Sequence, residues 1–150
     1  MVKIGNKAPA FSLRSGEGTT VRLADLKGNK VVLYFYPKDD TSGCTKEACA
    51  FQESSAAIMK RGAVVVGVSA DSEESHAKFA AKYSLSFRLL SDPEKTVLKA
   101  YGVWKQKSMY GRKYMGIERT TILIDERGVI QAVFEKVKVT GHVDEVLAVL

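Results

Sequence analysis

A mixed α/β sandwich, with a central sheet covered by helices on both faces and a β-hairpin near its N-terminal end, is the fold this sequence predicts. Three observations predict it: strand-like and helix-like segments alternate between residues 30 and 102, the central strand-like runs are apolar throughout, and the last third opens on a hairpin signal. Uninterrupted apolar runs belong to strands buried on both faces, alternation with helices implies parallel pairing, and a later hairpin adds antiparallel strands.

Phe11, Leu13, Val21 and Leu23 alternate with polar residues around Ser15-Gly16-Glu17-Gly18 and read as the N-terminal hairpin. Residues 30–36 form a β-rich run that Pro37 ends. From about residue 42 to 61 the pattern turns helical, with Ala48, Phe51, Ser55, Ile58 and Met59 near 3.6 spacing and Gly62 as the stop. Residues 63–68 are a second buried strand, and Asp71-Ser72-Glu73-Glu74 caps a helix expected to run to Tyr83. Residues 87–90 are a third short strand, after which Ser91-Asp92-Pro93 supplies a cap and an initial proline for a helix closed by Gly102. Residues 120–124 and 129–134 flank Asp125-Glu126-Arg127-Gly128 as a hairpin, and Val143, Val146, Leu147 and Leu150 lie on one stripe of a last helix. Thioredoxin-like architecture fits this order; periodicity alone does not separate it from other α/β sandwiches.

A chain of 150 residues that is 45% hydrophobic can bury a core without staples, and one domain spanning residues 1–150 is expected. The net charge of +6 is scattered, with acids interleaved and no arginine-rich arm, so it reads as a solvated surface that mildly attracts anions and not as a nucleic-acid interface, with acidic partners or anionic substrates as the alternative. Residues 1–9 lack the apolar run of a signal peptide, and no segment approaches the roughly 20 apolar residues needed to cross a bilayer, so a soluble cytoplasmic protein is expected. Two cysteines in such a chain point to catalysis, redox sensing or metal binding and not to a disulfide scaffold.

Ligands on open α/β sheets gather beyond the carboxyl ends of strands, where residues 37–44 leave the first buried strand. Cys44 sits where that loop becomes a helix, so unpaired backbone donors and the positive end of the helix dipole should lower its pKa. A nearby Arg or Lys would complete such a setting and must come from a distant part of the chain. Cys49 lies five residues further along the same helix. In a regular helix their α-carbons would be about 8.6 Å apart, beyond the limit of about 7 Å for a disulfide. A bond between them therefore demands local unwinding, triggered when Cys44 is oxidised to a sulfenic acid. Taken alone, Cys49 reads as a small buried hydrophobe. The Cys-x4-Cys spacing is wider than usual zinc spacings, and His76 and His142, with no ligand partner near in sequence, read as surface or capping residues; no metal or other cofactor is expected.

Pro37-Lys38-Asp39-Asp40-Thr41-Ser42-Gly43-Cys44 resembles the Pro-x-x-x-Thr-x-x-Cys signature of the peroxiredoxins. Extended through Thr45-Lys46-Glu47-Ala48-Cys49, it is similar to the bacterioferritin comigratory protein branch, also called peroxiredoxin Q. The resemblance continues at Gly102-Val103-Trp104, Met109-Tyr110-Gly111 and Gly116-Ile117-Glu118-Arg119-Thr120-Thr121. It implies that Cys44 is the peroxidatic nucleophile and Cys49 the resolving thiol, that the Thr41 hydroxyl hydrogen-bonds the peroxide, and that Pro37 shields the sulfur. Arg119 matches the family's active-site arginine, whose guanidinium would favour the thiolate and hold both peroxide oxygens. Ser42 stands where this branch often has proline, and Gln52 where it often has arginine; neither removes a donor. The resemblance further implies hydrogen peroxide and small organic hydroperoxides as substrates, thioredoxin or a similar dithiol as reductant, and a monomer.

Two rivals differ in what they require. A thiol-disulfide oxidoreductase acting on proteins normally spaces its cysteines two residues apart, which this chain does not. A non-enzymatic redox sensor would use the same helix melting to change shape, and catalytic turnover against one stoichiometric oxidation separates it from the enzyme.

Overall fold

The computed structural model describes residues 2–150. Its strands in chain order are β1 (Ser12–Ser15), β2 (Thr20–Arg22), β3 (Lys30–Phe35), β4 (Ala63–Ser69), β5 (Arg88–Ser91), β6 (Trp104–Met109), β7 (Arg112–Ile117), β8 (Thr120–Ile124) and β9 (Ile130–Phe134). Its helices are α1 (Ser42–Glu53), α2 (Ser55–Lys60), α3 (Glu73–Tyr83), α4 (Thr96–Ala100) and α5 (His142–Val149).

Apolar side chains on both sides of a strand must be covered on both sides, and β3 shows this directly. Val31, Leu33 and Phe35 enter one core with Val97, Leu98 and Tyr101 of the α4 segment. Val32, Tyr34 and Tyr36 enter the other with Phe51 of α1, Ile58 of α2, Phe79 of α3 and Val143 of α5. The sheet runs β2-β1-β5-β4-β3-β8-β9. Its centre, β3, β4 and β5, is parallel, while β1 with β2 and β8 with β9 add antiparallel pairs at the two sides. This is the mixed, thioredoxin-like sheet expected, with the N-terminal hairpin as its edge.

Two local expectations are corrected, and one element was not anticipated. The helical stretch after Cys44 is two helices, broken at Ser54, whose backbone (ψ 6°) departs from the helix. The helix expected to start at Pro93 starts at Thr96, after Lys95 in the left-handed region. Asp92 still serves it, reaching forward so that its Oδ2 accepts the Leu98 amide at 2.8 Å. The segment between Gly102 and Thr120 is a separate two-stranded hairpin of β6 and β7, turning through Tyr110 and Gly111, both at positive φ. Its largely polar strands carry no buried-strand signal.

Candidate active site

The chain leaves β3 with the Tyr36 amide bonded to Val68 O of the parallel neighbour, so residues 37–43 emerge beyond the carboxyl ends of the central strands. Pro37 is exposed on this loop. Thr41, extended at φ −97° and ψ 158°, is the cap position of α1, and the Thr45 amide donates to its carbonyl at 2.8 Å. The amides of Ser42, Gly43 and Cys44 precede that first intrahelical bond and are the free donors of the helix end. The Thr41 hydroxyl does not cap them; it donates to Lys38 O at 2.8 Å and keeps its lone pairs.

The distant cation arrives by sheet register. β8 pairs with β3 so that Thr120 faces Phe35 and Thr121 faces Tyr34, which sets Arg119 at the carboxyl end of β3, where α1 begins. The Val137 amide holds the Arg119 carbonyl at 3.0 Å. Arg119 Nη2 then donates to Cys44 Sγ at 3.3 Å, and Nη1 donates to Glu47 Oε1 at 2.7 Å. Gly43 gives the guanidinium room: a Cβ there would stand 3.2 Å from Nη2, tighter than ordinary contact. Cys44 is 1% exposed, so the guanidinium acts on the sulfur with little competition from water.

Glu47, one helical turn beyond Cys44, was not anticipated from sequence. The i to i+3 spacing was the available signal, since it puts both side chains on one helix face. Burial pushes the Glu47 carboxyl up to about 7, against the lowering effect of Arg119. Burial opposes the charge of Arg119 in turn, yet Glu47 and Cys44 outweigh it and hold its pKa above the ordinary value. One guanidinium thus serves two acids. Tyr34 OH and Glu47 Oε2 are the buried side-chain polar atoms without a hydrogen-bond partner among the described residues. Burial first, then the neighbouring Glu47 and Cys44, raise the Tyr34 hydroxyl well above its ordinary value, so it stays protonated.

On the other side of the loop, α3 grips residues 39 and 40. The Asp39 amide donates to Asp71 Oδ2 at 2.8 Å, and the Asp39 carboxyl accepts from Tyr36 OH and from Ser75 Oγ. His76 Nδ1 lies 2.7 Å from Asp39 Oδ2, while Nε2 faces Leu90 O at 2.9 Å. A carbonyl cannot donate, so Nε2 is the donor to Leu90 O and Nδ1 is the nitrogen turned to the Asp39 carboxyl. Asp40, held at φ 57°, takes Lys82 Nζ and Tyr83 OH at 2.8 Å each.

The expectation that both histidines are surface or capping residues is overturned. His76 is buried in this network, and His142 is buried between Phe51 and Phe134 with Nε2 2.7 Å from Thr121 Oγ1. Burial, helped by Arg119, lowers the His142 pKa. Asp39, Asp71 and His76 bring ligand-type atoms within 4.8 Å of one another, a grouping the sequence separation concealed. Those atoms are engaged with one another and with Ser69 and Ser75, as befits a structural clamp.

Of the residues singled out from sequence, Cys44 and Arg119 are in contact, Thr41 occupies the position just before the first turn of the same helix, and Pro37 lies on the loop before it. Cys49 is half-buried on the next part of α1, and both cysteines are free thiols. Gln52 turns away from the site and accepts from the Ser86 amide at 2.7 Å.

The AhpC/TSA family model matches residues 4–133. Peroxiredoxin Bcp of Bacillus subtilis (strain 168) is 50% identical to this chain over 149 residues, covering 99% of this chain and 95% of that protein. A cysteine-to-serine variant of Xylella fastidiosa PrxQ superposes with a TM-score of 0.93 at 38% identity, covering 99% of this chain and 94% of the other. A structure of the Xanthomonas campestris bacterioferritin comigratory protein, from work on its alkyl peroxide reduction activity, superposes with a TM-score of 0.91 at 40% identity, covering 97% and 96%.

Proposed function

Because this chain belongs to the AhpC/TSA family, and within it to the peroxiredoxin Q branch of thiol-dependent peroxidases, we propose that Cys44 is its peroxidatic nucleophile and Cys49 its resolving thiol. The observation that carries the assignment is the 3.3 Å hydrogen bond from Arg119 Nη2 to Cys44 Sγ at the start of α1. The Cys44 thiolate attacks one oxygen of the hydroperoxide; an S–O bond forms, the O–O bond breaks, and the other oxygen leaves as water or an alcohol after taking a proton. Arg119 and the free amides of the helix end stabilise charge as it moves onto the leaving oxygen. Thr41 accepts from the peroxide O–H, since its own proton is spent on Lys38 O. Pro37 limits access of water from the loop side.

Cys49 sulfur then displaces hydroxide from the Cys44 sulfenic acid, forming an S–S bond and releasing water. Both residues lie in one continuous helix, so the first turns of α1 unwind for this step. A protein dithiol, thioredoxin or a close analogue, returns two electrons and two protons. Hydrogen peroxide and small alkyl hydroperoxides are the substrates, and the cycle is carried out by a cytoplasmic monomer. No helix among the described residues is long and apolar enough to cross a membrane.

A steady-state assay coupling peroxide loss to thioredoxin oxidation tests the reading. Cys44→Ser should abolish turnover, and a variant that consumed peroxide at the parental rate would refute the assignment. Oxidation by one equivalent of peroxide should remove two hydrogens and link the peptides bearing Cys44 and Cys49; an intersubunit link would overturn the internal route.

A further inference from the structure

The hairpin of β6 and β7 is the part of the molecule that the peroxide chemistry leaves unexplained. Residues 102–117 contain Lys105, Lys107, Arg112 and Lys113 and no Asp or Glu. The same hairpin exposes Met109, Tyr110, Tyr114 and Met115. Tyr110 at its tip is 99% exposed while held at φ 51°, a backbone region that bulky residues seldom adopt. Nothing among the described residues accounts for an aromatic side chain there.

The register assigns these groups to faces. Lys105 opposes Gly116, Lys107 opposes Tyr114 and Met109 opposes Arg112, so these six positions share one face. That face adjoins the sulfur site. Lys105 Nζ donates to Glu118 Oε2 at 2.7 Å, and Glu118 immediately precedes Arg119. The stem of Lys107 lies across Gly116, where a Cβ would stand 3.2 Å from its Cδ. Burial lowers the pKa of the Lys107 amine, and Arg119 and Cys44 are among the charges it feels. The opposite face turns inward at its base, where Ile117 is buried and Trp104 packs against the core.

Resting on the cycle proposed above, we propose that this face, with Lys107, Met109, Arg112 and Tyr114 and the tip Tyr110, is the docking surface for an acidic protein dithiol that reduces the Cys44–Cys49 disulfide. Such a partner must seat beside the sulfurs, and the one-signed charge of the hairpin selects a partner with an acidic rim. Exposed Tyr, Met and Arg side chains are the residue types enriched in interface cores, and redox encounters use small contact areas. One partner thiolate forms an intermolecular S–S bond to one of the two sulfurs as the Cys44–Cys49 bond breaks. The second partner thiol displaces that bond, so two electrons and two protons pass from partner to chain.

The test measures turnover at saturating peroxide with a bacterial thioredoxin and, separately, with dithiothreitol, which needs no docking surface. The Met109→Ser/Tyr114→Ser double variant should lose about tenfold in kcat/KM for thioredoxin, while its dithiothreitol rate and its single-turnover Cys44 oxidation stay at parental values. In Arg112→Ser the fall of thioredoxin kcat/KM with rising salt should be shallower than in the parent. Unchanged thioredoxin kinetics in the double variant overturn the docking surface while leaving the peroxidase cycle intact. An equal loss with both reductants overturns it as well, because the defect then lies at the sulfurs. Hairpin-dependent binding to phosphatidylglycerol vesicles with unaltered thioredoxin kinetics assigns the face to lipid and overturns it too. A parent that turns over with dithiothreitol and never with thioredoxin overturns both the reductant and its docking face.

Discussion

The segments on either side of Cys44 are held in opposite ways. Residues 39 and 40, before it, are tied to α3 and to the β4–α3 turn through Asp71, Ser75, His76, Lys82 and Tyr83. After it, α1 depends on Arg119 bonded to Glu47 and on the packing of Ala48 and Phe51. In the cycle proposed above, a Cys44–Cys49 disulfide would require α1 to unwind, while peroxide would bind to the loop as it stands. On that proposal the difference teaches where motion is called for: the fixed side presents Thr41, and the looser side, the one that would open, carries Cys49.

The comparison breaks most severely at Asp39. Removing the Asp39 carboxyl leaves Tyr36 OH, Ser75 Oγ and His76 Nδ1 without their partner, at about 3–5 kcal/mol together. Asp39→Ala should therefore lower unfolding stability by about that amount, read by urea denaturation, and should slow Cys44 oxidation because Thr41 loses its anchor. An unchanged denaturation midpoint would show that the clamp contributes nothing.

Glu47 sharpens the other side through pH. Its carboxyl is raised from 4.5 to about 7 in the folded chain, so the folded state holds this proton longer than the unfolded state does. The stability this group contributes is fully present below the ordinary carboxylate range and is lost as pH rises through about 7. Converted at 1.36 kcal/mol per pH unit, the loss is about 3 kcal/mol at its ceiling. Glu47→Gln keeps an acceptor for Arg119 Nη1 and should flatten the decline, measured as the urea midpoint across that pH range. A decline of parental size in the variant would assign the effect to other groups.

A smaller effect is expected within α1 itself. Ala50, partly buried between Cys49 and Phe51, contributes helix propensity, and Gly there costs about 1 kcal/mol in a helix. If the unwound helix is the state in which the thiols meet, Ala50→Gly should speed disulfide formation by about fivefold, with Cys44 oxidation nearly unchanged. Quenched mass analysis after a peroxide pulse separates the two steps, and an unaltered second step would place the opening elsewhere.

Legibility in the sequence followed the range of the interactions. The central sheet was readable because strands buried on both faces announce themselves, as residues 31–36 do. Cys44 was readable because its helix start is local, and Arg119 because the resemblance supplied it; no spacing rule links residues 75 apart. Glu47 was within reach of a helical-face argument. His76 was not: its partner Asp39 lies 37 residues away, and the two meet only after β4 has run parallel beside β3 and α3 has folded back. The β6–β7 hairpin escaped because its strands are polar, and the α4 boundary because Asp92 works six residues ahead of itself.

The gentlest test concerns Asp40, the exposed half of the loop's attachment. Its carboxylate meets Lys82 and Tyr83 at 2.8 Å each, and these bonds lower its pKa. Exposed pairs are weak and screened by salt. Asn tolerates the left-handed backbone that Asp40 adopts at φ 57°, so Asp40→Asn removes charge without adding strain. The freed loop should follow α1 more readily, raising the rate of disulfide formation about twofold at low ionic strength, the scale of an exposed pair. In the parent that rate should climb with added salt toward the variant's, while the variant's stays flat. A parent indifferent to salt would mean that Asp39 alone holds the loop and that the division between a fixed and a looser side begins one residue earlier.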